Sequence, residues 1–185
     1  PLYSSAASDV YKRQDLHIGE TQALFRHVPG MTVQNYQLPG VADGIVMRGF
    51  GGGGHGGDVG AVLDGIPLNE AMSHADGYVD FNVIIPLEIE RFTVYKGPVS
   101  PLYGNFNRAG LVAVNTRKGG IYHDLDLRLG SHSTFDGQWA LGRRLDRGDD
   151  VNLAAQHARS NGFRAQSEAE RSTVCLLYTS PSPRD

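Results

Sequence analysis

The 185-residue chain contains one cysteine, one tryptophan and three methionines. A single cysteine excludes both a disulfide framework and a cysteine-based zinc site. No stretch approaches the roughly 18 apolar residues that a membrane helix needs, and no basic-then-apolar leader opens the chain. A helical membrane protein is thereby excluded, whereas a piece of a β-barrel is not. Positive charge is also scarce: 17 Lys and Arg stand against 20 Asp and Glu, a net charge of −3. No bulk field exists to hold a nucleic-acid backbone or an anionic membrane surface, so no nucleic-acid partner is expected. Glycine is what the chain has in excess, 24 residues within a composition that is 40% hydrophobic and 20% charged. That balance is typical of a folded domain, with glycine serving backbone geometry.

Two terminal segments stand apart. Ser4 to Gln14 and Cys175 to Asp185 resemble translated sequencing-library adapter, so residues 1–14 and 175–185 are set aside, and the only cysteine goes with them. Any leader peptide would then lie upstream of residue 15.

Within residues 15–120 short helices and strands alternate. Leu24, Phe25 and Val28 fall at helical spacing, and Pro29-Gly30 stops that helix. Strands are predicted at Gly44 to Arg48, Val59 to Leu63, Arg91 to Tyr95 and Gly110 to Val114, with a turn at Asp64-Gly65 and a helical turn after Pro86. Six glycines in seven residues, Gly51 to Gly57, separate the first two strands. Without a βαβ repeat, the reading is an α+β unit with a small mixed sheet and short helices. Residues 121–174 differ in texture. Leu125, Leu127 and Leu129 alternate with Asp124, Asp126 and Arg128, and two further runs around Trp139 and Leu153 alternate likewise. Three antiparallel strands are predicted, each near the length that crosses a bilayer as tilted β. A soluble meander shows the same alternation, so the pattern alone does not choose between the two.

Several blocks, in order, resemble the plug domain of the TonB-dependent outer-membrane receptors. Leu24-Phe-Arg-His-Val-Pro-Gly-Met31, Ile45-Val-Met-Arg-Gly-Phe50 and Asp64-Gly-Ile-Pro67 are each short matches. The specific part is Ile89-Glu-Arg-Phe-Thr-Val-Tyr-Lys-Gly-Pro98, then Leu102-Tyr-Gly104 and Ala109-Gly-Leu-Val-Ala-Val-Asn-Thr116. The chain departs at Lys96, where the family usually has Arg, and at Ala113, where Asn is common. The resemblance implies a plug over 15–120 followed by the first strands of an incomplete outer-membrane β-barrel over 121–174. Barrels of about 22 strands with a plugged lumen need several hundred residues, so a chain of this length is expected to be a piece of a larger receptor, surrounded in full by outer-membrane lipid. The resemblance further implies energised import: a ligand binds at apex loops, and TonB, recruited by an N-terminal segment missing here, pulls on the plug. Relatives import ferric siderophores, heme, vitamin B12, oligosaccharides or metal; a metal-siderophore complex is the expected ligand class, and no cofactor is expected.

Candidate site residues follow from that frame. Arg48, Phe50, His55, Asp58, Asn69, His74 and Tyr78 lie in the segments the resemblance places at the apex. Arg48 reads either as a charge-assisted contact to an anionic ligand or as a buried structural ion pair. His55, Asp58, His74 and Asp76 have ligand chemistry suited to zinc or another divalent ion, but their spacing fits no compact motif, and two exposed polar loops are the favoured reading. Glu90, Arg91, Lys96 and Arg117 read as plug–barrel or gating charges. Tyr95 and Tyr103 are expected in the core. The glycine run lacks the Gly-Lys-Ser/Thr ending of a phosphate loop, and no Ser-His-Asp order, His-Glu-x-x-His or nucleophile elbow is present. No enzyme is expected; the alternative to a receptor is a stand-alone periplasmic ligand- or metal-binding module.

Overall fold

A computed structural model describes residues 20–36, 41–51, 57–71, 77–98, 103, 105–146 and 148–180. Its strands are β1 (Met31–Gln34), β2 (Gly44–Met47), β3 (Val59–Leu63), β4 (Ile66–Pro67), β5 (Ile89–Lys96), β6 (Gly110–Thr116), β7 (Tyr122–Gly130), β8 (Thr134–Arg144), β9 (Asp150–Ser160) and β10 (Ala169–Thr179). They form a β1-β2 pair, a sheet of order β4-β3-β6-β5 and a sheet of order β10-β9-β8-β7. All pairings are antiparallel except β3 with β6.

The chain divides into two compact units. The first holds the smaller sheets and one apolar core. Leu24 and Phe25 enter it from a 3₁₀ helix, Thr21–His27, and Val28 from just after it, and they meet Phe81, Ile84, Ile89, Phe92, Val94, Val112 and Val114. Phe25 lies edge-on to Phe81 at 4.9 Å and to Phe92 at 5.9 Å. The expected helix is thus present, but wound as 3₁₀ over seven residues. Seven residues is long for 3₁₀ winding, and proline at 29 prevents continuation. The Thr21 hydroxyl donates to the Ile84 carbonyl (2.8 Å) and the Gln22 amide to Asn82 Oδ1 (3.2 Å), fixing this helix to the 81–84 segment. At one end of the sheet the Asp64-Gly65 turn is locked: Asp64 accepts from the Thr116 amide (3.2 Å) and hydroxyl (2.5 Å).

The second unit comprises β7–β10 with the short segment Ile85–Glu88. Its alternation is inverted relative to a soluble sheet. Leu125, Leu129, Val174 and Leu176 are 65%, 86%, 72% and 67% exposed, while Asp136, Gln138, Asn152 and Gln156 are buried. Gln138 and Gln156 both donate to Asp136, at 3.4 and 3.0 Å. The fourth strand, beyond the three predicted, runs through Val174 into Cys175–Thr179, within the segment set aside as adapter-like. Its register against β9 is unbroken from Ala169↔Ser160 to Thr179↔Asp150. Among the described residues no helix is long and apolar enough to cross a membrane, which says nothing of strands.

Candidate functional site

Because β3 runs parallel to β6 and β5 antiparallel to it, the first residues of β3 and β6 and the last of β5 share one end of the sheet: Val59 and Lys96 both pair with Gly110. Segments bearing most of the predicted contacts converge there.

The Arg-Gly-Phe block makes a two-residue turn. The Met47 amide donates to the Phe50 carbonyl (2.8 Å) and the Phe50 amide to that of Met47 (2.9 Å), with Arg48 and Gly49 at φ of 51° and 84°. Two positive φ angles define a type I′ turn, which favours Asn, Asp or Gly at its first position. Arginine there is held in a left-handed conformation costing on the order of 1 kcal/mol. The surroundings compensate: the Arg48 amide donates to the Gly30 carbonyl (2.9 Å). The Arg48 side chain is exposed, as a two-residue turn carries its side chains outward.

Phe50 is half exposed, and the Arg108 guanidinium lies 5.8 Å above its ring. Arg108 also forms an ion pair with Asp58, which is buried while Arg108 is 70% exposed. Asp58 is thereby committed to a cation within the fold, and the Ala109 amide donates to its carbonyl at 2.7 Å. Arg108 is the residue sequence reading missed. It lies between the Leu102-Tyr-Gly104 and Ala109 blocks, and its only signal is being a lone cation beside Asn105, Phe106 and Asn107.

Asn69 works as a clamp. Its side-chain oxygen accepts from the Ala61 amide (2.7 Å), and its amide group donates to the carbonyls of Val59 and Gly77, both at 3.0 Å. Gly77 also accepts from the Gly57 amide (3.2 Å) and donates to the Glu70 carbonyl (2.9 Å). Its φ is 75°, and an added Cβ would sit 2.6 Å from the Gly57 backbone, so only glycine closes this junction. Tyr78 is half-buried, its hydroxyl pKa raised by desolvation and by Asp80. His55, His74 and Asp76 lie outside the described residues, so the predicted metal set has only Asp58 on view, already paired with Arg108.

Of the four charges expected at plug–barrel or gating positions, three lie on β5 of the first unit. Glu90 is exposed at a β-bulge between Ile89 and Arg91, near the Thr116 end of the sheet. Arg91 is exposed opposite Asn115, whereas half-buried Lys96 lies at the opposite, loop-bearing end. Arg117 belongs to the second unit, 2.5 Å from Asp124 and with its guanidinium 4.6 Å over the Tyr122 ring. Tyr95 and Tyr103 stack at 6.2 Å but are only half-buried, outside the core where they were expected.

One titratable group stands apart from the loops. Asp43, just before β2, has its carboxyl pushed up to about 6 by partial burial and by Glu20, against the opposing pull of Arg26. Its side chain accepts a long hydrogen bond from Asn35 (3.4 Å).

Comparison with known proteins places this architecture. The family described as TonB-dependent Receptor Plug Domain matches residues 3–111. The vitamin B12 transporter BtuB of Vibrio vulnificus is 29% identical over 168 residues, 85% of this chain and 26% of the transporter. The pyoverdine outer membrane receptor FpvA of Pseudomonas aeruginosa superposes with a TM-score of 0.74 at 18% identity, over 99% of this chain and 26% of the receptor. The copper transporter OprC superposes at 0.71 and 21% identity, over 98% of this chain and 29% of that one. The ferric yersiniabactin uptake receptor FyuA of Yersinia pestis does so at 0.68 and 14% identity, with the same coverage. The chain thus spans about a quarter of the length of the proteins it matches, and these are receptors and transporters rather than enzymes. With the plug profile matched over more than half its length, the chain belongs to the TonB-dependent receptor plug-domain family of the Gram-negative outer membrane.

Proposed function

We propose that this chain is the gate of an energised outer-membrane importer. Its first unit is the plug, its second opens the barrel wall, and TonB remodels the plug through a segment preceding residue 15. The observation that carries the reading is the inverted exposure of β7–β10, with leucines outward and Asp, Gln and Asn inward. A stand-alone periplasmic binding module would bury those leucines instead.

The ligand is a ferric siderophore or another anionic metal complex taken at the loop-bearing end of the plug sheet. Arg48 and Arg108 offer exposed guanidinium groups there, and Phe50 a half-exposed ring. Charge-assisted donors with an aromatic face suit an anionic chelate. Receptors for pyoverdine and yersiniabactin share the fold, and so do proteins named for vitamin B12 and copper. The test is a fluorescence titration of the complete receptor carrying this chain with ferric pyoverdine, vitamin B12 and cupric ion in turn. Ferric pyoverdine is expected to bind with an affinity that falls with salt and weakens about tenfold in Arg48→Ala, the scale of one charge-assisted hydrogen bond. Binding of vitamin B12 alone, indifferent to salt and to Arg48, would overturn the ligand class. Binding of cupric ion alone would favour the bare-metal alternative.

A further inference from the structure

We infer that Ile85–Glu88 is a fixed wall anchor, a four-residue stretch within the plug sequence that stays with the barrel strands when the rest of the plug is remodelled. The inference rests on the import reading only for what does the remodelling; the placement of the segment stands by itself.

Two adjacent isoleucines divide the molecule. Ile84 is extended, at φ −96° and ψ 122°, so successive side chains point to opposite sides. Ile84 enters the core of the first unit with Phe25 and Phe81. Ile85, fully buried, enters a separate small core with Ala140 and Ala154, flanked by Leu87, Tyr122 and Cys175. Ala140 and Ala154 are register partners on β8 and β9, and their small side chains leave room on the wall for one isoleucine. Polar bonds fix the same stretch. The Leu87 amide donates to Gln138 Oε1 (3.1 Å), the Glu88 amide to the Ile85 carbonyl (3.0 Å), and the Arg117 amide to the Glu88 carbonyl (3.0 Å). Arg117 is itself held by Asp124 on β7. The chain returns to the first unit at Ile89, whose side chain is in the larger core.

A buried side chain in the wall's own apolar cluster, with two backbone groups bonded to wall residues, opens with the wall. Pulling on the first unit therefore frees the chain up to Ile84 and from Ile89 onward, and Ile85–Glu88 remains as a tether.

The test is residue-resolved hydrogen exchange on the complete receptor carrying this chain, in detergent micelles with rising sub-denaturing urea. The Leu87 and Arg117 amides are expected to exchange with those of β8, and the Val112 amide of the plug sheet to exchange earlier. If Leu87 and Arg117 open together with Val112 while β8 stays closed, or if all open at once, the anchor is overturned. Gln138→Ala removes one acceptor and is expected to speed Leu87 exchange about five- to tenfold, leaving Val112 unchanged. Equal acceleration at both sites would mean a general loss of stability and would also overturn it. No import enters this readout, so a receptor that fails to transport refutes the import reading without touching the anchor.

Discussion

Asp43 shows how one side chain can set a pH response. Its carboxyl is raised from 3.8 to about 6 in the folded chain by burial and by Glu20. Between those values the folded state keeps a proton that the unfolded state has released, so the contribution of Asp43 to stability is greatest at the acid end and falls as pH rises through the window. Asp43→Asn is therefore expected to flatten the dependence of the urea midpoint on pH between about 4 and 6. An unchanged slope would assign the response to another group. Arg48 and Arg108 show what single residues disclose before folding. Arg48 was legible as a candidate because it stands in a recognisable block, but its left-handed turn was not, since Arg-Gly carries none of the preference that made Asp64-Gly65 readable. Arg108 was illegible because its partners, Phe50 and Asp58, are far away in sequence and no periodicity links them.

At the level of elements, short apolar runs placed β2, β3, β5 and β6, and period-2 runs placed β7–β9, close to where they lie, and the Pro86 helical turn is the 3₁₀ stretch Pro86–Glu88. The strand β4 escaped because two residues give no usable period, and the four-residue β1 was not predicted. The alternation in β7 could not say which face met water, because a barrel wall and a soluble meander share it; exposure decides. Leu127, mid-strand on the outward face, is 62% exposed. Leu127→Arg is expected to destabilise the complete receptor in lipid vesicles by about 2–4 kcal/mol, as for a cation placed near the bilayer midplane. The same change on a water-facing strand is near neutral, so the refolding midpoint in vesicles separates the two.

The whole molecule carries an open wall. The four-strand sheet has β7 and β10 as its edges, and its outward side chains are apolar. Edges of that kind template pairing with other chains. The 185-residue chain by itself is therefore expected to aggregate, or to leave β7–β10 without protection, in detergent-free buffer; light scattering and amide exchange read this directly. A monodisperse species with protected β8 amides would contradict it. The pairing of Leu87 with Gln138, 51 positions apart, also bears on synthesis. Ile85 leaves the ribosome well before Ala140 and Ala154, the buried partners that complete its apolar cluster. The nascent plug thus travels with an apolar segment on offer, the kind of surface on which holding chaperones act.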